Sequence, residues 1–198
     1  MVMKFGVKNE WLNYCEWDIK YPTTEPNKEI EVLTVAHHKK ILDFIKQNFT
    51  FRNLGIYISL TTGLRIGEIC GLKWSDINTD NGTITVNRTI ERIYIVDGER
   101  KHTELVINTP KTKNSIRKIV LPPAVVAVLR EYKEAVDSRW MFPSPVKEDC
   151  PITPGVVRRR LQLILEHAGC KHVRFHDLRH TFATLALENG MDVKTLSA

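Results

Sequence analysis

A mainly α-helical domain with a small three-stranded antiparallel sheet, an α+β arrangement, is the fold class the sequence predicts, and three observations predict it. Apolar residues recur at helical spacing in successive stretches between Thr34 and Glu188. One β-rich block, from Thr83 to Leu121, interrupts them and is punctuated by Asn81-Gly82 and Asp97-Gly98. A hydrophobic content of 42% over 198 residues suffices to bury a sizeable core.

In chain order, Trp11, Leu12, Tyr14, Trp17 and Ile19 form an aromatic-rich piece suited to a short helix, too short to own a core. Tyr21 to Lys28, with Pro22 and Pro26, reads as an extended linker, so a boundary is expected there: residues 1–28 as the end of one domain and its linker, 29–198 as a second domain. Thr34 is a good N-cap for a helix to Asn48, with Ile41, Leu42, Ile45 and Phe49 on one face and Lys39, Lys40 and Lys46 outside. Phe51 to Leu60 is more apolar and therefore more buried, and Thr61-Thr62-Gly63 breaks it. The next helix is expected over Leu64 to Trp74, with Leu64, Ile69, Leu72 and Trp74 as core residues.

Strands are expected from Thr83 to Val96, over Glu104–Asn108 and over Ile116–Leu121, the last two joined by a basic hairpin tip, Thr109 to Ser115. Pro122-Pro123 opens a helix to about Asp137, where proline is tolerated in the first turn. Pro154 to His167 is the next, with Val156, Val157, Leu161, Leu163, Ile164 and Leu165 facing inward, and Gly169 ends it. The helix carrying Leu178, Phe182, Leu185 and Leu187 runs to Glu188 and stops at Asn189-Gly190. Asp192 can cap a last short helix beginning Val193-Lys194-Thr195-Leu196.

Composition narrows the function classes. Lys and Arg outnumber Asp and Glu by 29 to 23, a net charge of +6 with a pI near 9.2, which points to a polyanionic partner. Cys15, Cys70, Cys150 and Cys170 show no CxxC spacing, so neither a zinc site nor a disulfide framework is indicated and a reducing cytoplasm is expected. The N-terminus lacks a signal-peptide pattern, and no apolar stretch has the length of a membrane span.

Chemistry concentrates in a few places. His176 and Arg179 are three apart and share a face in the first turn of their helix, where backbone N–H groups also favour an anion such as phosphate; a capping His and an Arg paired with Asp177 would be the ordinary alternative. Arg65 and Glu68 are likewise three apart, so the carboxylate either holds the guanidinium in one orientation or forms an ordinary solvated pair. Lys111 and Lys113 stand in the exposed basic tip, which either has room to reach into DNA or is ordinary soluble surface. Arg158-Arg159-Arg160 is the densest cationic cluster and suits either phosphate contact or a solvated face. No carboxylate cluster suited to Mg²⁺ stands out, and no cofactor is expected.

Thr62-Gly63-Leu64-Arg65-Ile66-Gly67-Glu68, a lysine-bearing β-hairpin and His176-x-x-Arg179, in this order and spacing, resemble the catalytic domain of the tyrosine recombinase (phage integrase) family over roughly residues 29–198. The resemblance implies a tyrosine-recombinase catalytic-domain-like fold, with residues 1–28 as the end of a core-binding domain. It implies a metal-independent DNA strand transferase that cleaves and rejoins double-stranded DNA at specific sites through a 3′-phosphotyrosyl intermediate, in recombination or the integration of mobile elements. Arg65 and Arg179 would clamp the scissile phosphate, Glu68 would support Arg65, Lys111 (or Lys113) would protonate the leaving 5′ oxygen, and His176 would serve the attacking group.

The nucleophilic tyrosine of the family lies after HxxR, whereas Tyr14, Tyr21, Tyr57, Tyr94 and Tyr132 all precede His176. A C-terminally incomplete catalytic domain, inactive in cleavage and monomeric in solution, is therefore expected, with further protomers joining on DNA in the intact protein. Two rivals are a non-catalytic DNA-binding module derived from such a recombinase and a related type IB topoisomerase.

Overall fold

The computed structural model describes residues 2–13, 32–98, 100–109 and 116–192. Its elements in chain order are α1 (Val2–Lys8), α2 (Val35–Gln47), α3 (Phe51–Thr62), α4 (Ile66–Cys70), a 3-10 turn (Trp74–Asp76), β1 (Ile77–Asn78), β2 (Thr83–Val86), β3 (Thr89–Asp97), β4 (Arg100–Asn108), β5 (Arg117–Val120), α5 (Pro123–Ala135), α6 (Pro154–His167) and α7 (Phe175–Glu188). Mainly helical with small antiparallel sheets, the observed class matches the expected one.

The helices form where periodicity and caps place them. The Thr34 side chain accepts the N–H of His37 at the start of α2, whose Ile41 and Ile45 are buried, while Phe49 lies beyond the helix end and is exposed. α3 is the central helix: every residue from Asn53 to Leu60 is buried, with α2, α6 and α7 packed against it. Its polar groups are satisfied, Ser59 donating to the Leu64 carbonyl and Thr62 to that of Ile58. The core joins Leu54, Ile56 and Leu60 of α3 to Leu161 and Ile164 of α6 and to Phe175 and Leu178 of α7.

Several helical expectations are corrected. The first helix precedes the aromatic residues: the backbone N–H groups of Trp11 and Leu12 donate to the Gly6 carbonyl after α1 has ended, and Tyr14, Trp17 and Ile19 lie outside the described residues, as does the linker 21–28. α4 is five residues and not a helix over 64–74, because the chain turns at Gly71 to begin the 3-10 turn. On α6, Val156 and Leu163 are exposed. On α7 the buried face is Phe175, Leu178 and Thr181, while Phe182 and Leu185 are half-buried and Leu187 is exposed. Thr181 wins its place by hydrogen bonding, donating to the Asp177 carbonyl and accepting the N–H of Leu33. The short helix after Asp192 falls outside the described residues.

The sheet is also built differently. A three-stranded antiparallel sheet does form, but its order is β1-β2-β5, and β3 and β4 make a separate two-stranded hairpin. The stretch from Thr83 to Val96 is two strands because Asn87-Arg88 bends between them. The Arg88 guanidinium turns inward to the Gly71 carbonyl and to both carboxylate oxygens of Asp76, and Asn87 donates to Asp76 as well. β5 then returns to β2, pairing Val86 with Arg117 and Thr83 with Val120. β3 and β4 pair from Thr89↔Asn108 to Asp97↔Arg100 around Gly98, whose φ of 58° suits so tight a turn. β4 and β5 belong to different sheets, so the segment between them joins two sheets and is not the tip of a hairpin made by those strands. Lys111 and Lys113 themselves lie outside the described residues.

Candidate active site

α4 places the first pair of site residues. Arg65 is its N-cap in extended backbone (ψ 151°), and three residues on, Glu68 folds back so that its Oε2 accepts the Arg65 N–H at 2.8 Å. Glu68 Oε1 receives an Arg65 Nη at 3.2 Å, which fixes the guanidinium relative to the helix. Gly67 allows α4 to lie against β3: a Cβ there would stand 2.3 Å from the Thr89 hydroxyl and 2.7 Å from the Ile90 carbonyl.

α7 places the second pair. Its N-terminus is capped by the chain's own Asp177, which accepts the Arg174 N–H at 2.8 Å and holds the Arg174 guanidinium. The backbone donors expected to favour an anion are thus partly occupied by a carboxylate, which leaves the side chains of His176 and Arg179 as the groups to consider. Arg179 pairs with no carboxylate of its own turn. It donates to the carbonyl of Gly63 at 2.8 Å, 116 residues away. Gly63 closes α3 at φ 67°, and a Cβ there would stand 2.5 Å from the Phe182 ring, so glycine lets the end of α3 press onto α7 and present that carbonyl.

With β3 and the start of α6, these elements form a cleft of about 490 Å³ lined by Arg65, Arg92, Arg158, His176 and Arg179, with Glu91 the acidic group among its lining residues. Arg65, His176 and Arg179 are therefore brought together, as is the first arginine of the cluster on α6. The other two diverge: Arg159 is exposed, and Arg160 reaches Asn53 Oδ1 at 2.6 Å and the Thr50 hydroxyl at 3.5 Å, where it serves the packing of α6 on α3.

Positive charge dominates the electrostatics of this cleft. Partial burial, and after it the charges of Arg65 and Arg117, hold the Arg179 guanidinium below its ordinary value. His176 is also lowered, first by lost hydration and then by His180, Arg179 and Arg65, with Asp177 opposing. Burial alone would raise the Glu68 carboxyl, but the Arg117 hydrogen bonds, the Arg65 N–H and both positive charges outweigh it and bring it below its usual value. Guanidiniums gathered this closely repel, and an anion between them would relieve the repulsion.

Besides Glu91 and Arg92 of the lining, Arg117 and His180 are absent from the sequence reading. Arg117 on β5 donates to both oxygens of Glu68 at 2.9 and 2.8 Å. Its signal was alternation: Arg117 shares an inward register with Ile119, and a charged residue on that face calls for a buried partner. His180, one turn after His176, sets its ring edge-on to the first imidazole with centroids 4.6 Å apart. Among the described residues no group of three metal-ligating side chains converges, and no helix is long and apolar enough to cross a membrane.

Residues 31–198 match the family model described as the phage integrase family. The chain is 31% identical to a XerC-like tyrosine recombinase of Caldanaerobacter subterraneus subsp. tengcongensis, over 89% of this chain and 48% of that protein. It is 26% identical to the ICEBs1 integrase of Bacillus subtilis, over 93% of this chain and 50% of that one. The chain thus spans about half the length of the curated relatives it matches. Among solved structures, the Tn1549 transposon integrase in complex with a circular-intermediate DNA shares its fold at a TM-score of 0.71 and 22% identity, covering 98% of this chain and 65% of the other. The XerA recombinase follows at a TM-score of 0.62 and 23% identity, over 83% and 53%.

Proposed function

The chain belongs to the phage integrase family, and from that membership we propose that residues 29–198 form the catalytic domain of a site-specific DNA recombinase that cleaves and rejoins strands by transesterification. The observation that carries the proposal is the convergence of Arg65, His176 and Arg179, from two helices remote in sequence, on one cationic cleft. Double-stranded DNA is the polyanion this charge fits.

In the proposed reaction a tyrosine oxygen attacks the scissile phosphorus, the bond to the 5′ oxygen breaks, and a 3′-phosphotyrosyl bond forms. The negative charge that accumulates on the non-bridging oxygens is stabilised by the guanidiniums of Arg65 and Arg179, which are held beforehand by Glu68 and by the Gly63 carbonyl and need no reorganisation. His176 hydrogen-bonds or takes the proton of the attacking group, and Lys111 gives a proton to the departing 5′ oxygen, with Lys113 as the competing donor. Arg158 and Arg159 contact flanking phosphates. Arg160, engaged by Asn53, contributes through α6.

The nucleophile is assigned to no tyrosine of these 198 residues. Tyr57 is buried in α3; Tyr132 is stacked on Phe51, its hydroxyl pushed up to about 12 by burial; Tyr94 is exposed on β3. The 198-residue chain is therefore expected to bind duplex DNA as a monomer without joining to it. A nicked duplex carrying a recombination site, incubated with the chain and run on a denaturing gel, checks this. No protein–DNA adduct is expected from the 198 residues, and an adduct is expected from a longer polypeptide that adds a tyrosine after the His176-x-x-Arg179 helix. An adduct from the 198 residues alone overturns the assignment.

Protonation of His176 offers a second check. Lost hydration first, and then the charges of His180, Arg179 and Arg65, hold its pKa below the ordinary value and favour the neutral ring. A bound anion favours the imidazolium, so binding takes up a proton and tightens as pH falls below the ordinary histidine value. Following the His176 ring protons by NMR with and without sulfate, whose charge is constant in this range, should show the midpoint moving up. A midpoint that stays or falls places the anion elsewhere.

A further inference from the structure

Around Glu68 the cleft wall gathers three guanidiniums, those of Arg65, Arg117 and Arg179, and one carboxylate. The carboxylate is not shared evenly. Arg117 takes both of its oxygens in a fork at 2.9 and 2.8 Å, and its side chain is 18% exposed. Arg65 reaches the same Oε1 with a single Nη at 3.2 Å, and its side chain is 54% exposed. Two parallel charge-assisted bonds in a partly desolvated setting outcompete one longer bond at the rim. Glu68 and Arg117 thus make a nearly neutral unit, against which Arg65 leans by its backbone N–H and one side-chain bond while keeping its own charge available.

We propose that Arg117 is the positioning residue of the phosphate clamp: by occupying Glu68 it lets that carboxylate orient Arg65 without neutralising it. The inference rests on the clamp reading above and deepens it. Without Arg117, the carboxylate would turn wholly to Arg65, its nearest remaining cation, and an incoming anion would have to displace it.

Sulfate titration of the 198-residue chain, read at the Arg65 and Arg179 Nε–Hε resonances, tests this. R117A is expected to weaken sulfate binding about tenfold. Adding E68Q to it should restore the affinity to within about threefold of the original, because Gln still accepts the Arg65 N–H but carries no charge to compete with sulfate. R117K, which keeps the charge and loses the fork, should fall between. If R117A fails to fold by its amide spectrum, the comparison of R117K with R117K/E68Q carries the same test.

A double variant no better than the single one, or an R117A protein that binds sulfate normally, overturns the inference. The clamp reading has its own control. R65A and R179A must each weaken sulfate binding, and if neither does, that reading fails whatever Arg117 shows.

Discussion

Replacing Arg179 with Ala is expected to lower strand cleavage by about 10³-fold or more in a polypeptide that supplies the tyrosine, while the chain still folds. Arg179 is poised for charge that appears only as the phosphate is attacked. Its Nη1 is fixed by the Gly63 carbonyl, its surroundings hold Arg65 and Arg117, and the carboxylate whose charge acts on it, Glu68, is committed to those two. Deleting it removes a preorganised cation and leaves the Gly63 carbonyl without that donor, a stability cost of about 1 kcal/mol. R179K keeps the charge but not the planar fork, so most of the loss should persist. Binding gives an independent reading on the 198-residue chain: the slope of log affinity against log salt should become shallower by about one unit for R179A. Undiminished cleavage, or an unchanged salt slope, shows that Arg179 does not touch the phosphate.

The largest stability effect is expected at the bend between the two sheets. Asp76 is buried and accepts hydrogen bonds from Arg88, Asn87 and the Lys73 backbone, while Arg88 is itself mostly buried at 16% exposure. D76A strands a guanidinium in the interior, a change that costs about 3–5 kcal/mol. At about 2–4 °C per kcal/mol for a chain of this size, Tm should fall by about 10 °C. Replacing both partners with apolar residues of similar volume should recover much of that, since the penalty comes from the unpaired charge. A D76A protein melting within about 2 °C of the original would mean that Arg88 finds another partner and that the bend is held by something else. The consequence reaches the cleft, because the chain leaves Arg88 directly into Thr89 and Ile90, the residues packed on Gly67 between Arg65 and Glu68.

Much of this molecule is legible in its sequence, for identifiable reasons. The bounds of α5, α6 and α7 follow from Pro123, Pro154, Gly169 and Gly190, signals that act within a turn or two of where they stand. Asp97-Gly98 marks the β3–β4 turn in the same way. The candidate site is legible as far as its residues share an element: Arg65 with Glu68 on α4, and His176 with Arg179 on α7. The β block misleads because a strand's period says which side chains share a face but not which strand lies beside it. A continuous run of β-formers from Thr83 to Val96 conceals the inward turn of Arg88.

What the sequence by itself determined is therefore local: helices, turns, a basic chain, and cationic motifs in an order that identifies a family. Tertiary structure decided the pairing of β5 with β2 instead of β4, the turning of Arg160 onto Asn53 and away from its two neighbours, and the fork from Arg117 to Glu68. Each of these joins residues distant along the chain, 107 apart for Arg160 and Asn53 and 49 for Arg117 and Glu68. Periodicity and capping are set by neighbours a few residues away, whereas such contacts exist only once the core around α3 has closed and brought the segments within hydrogen-bonding distance.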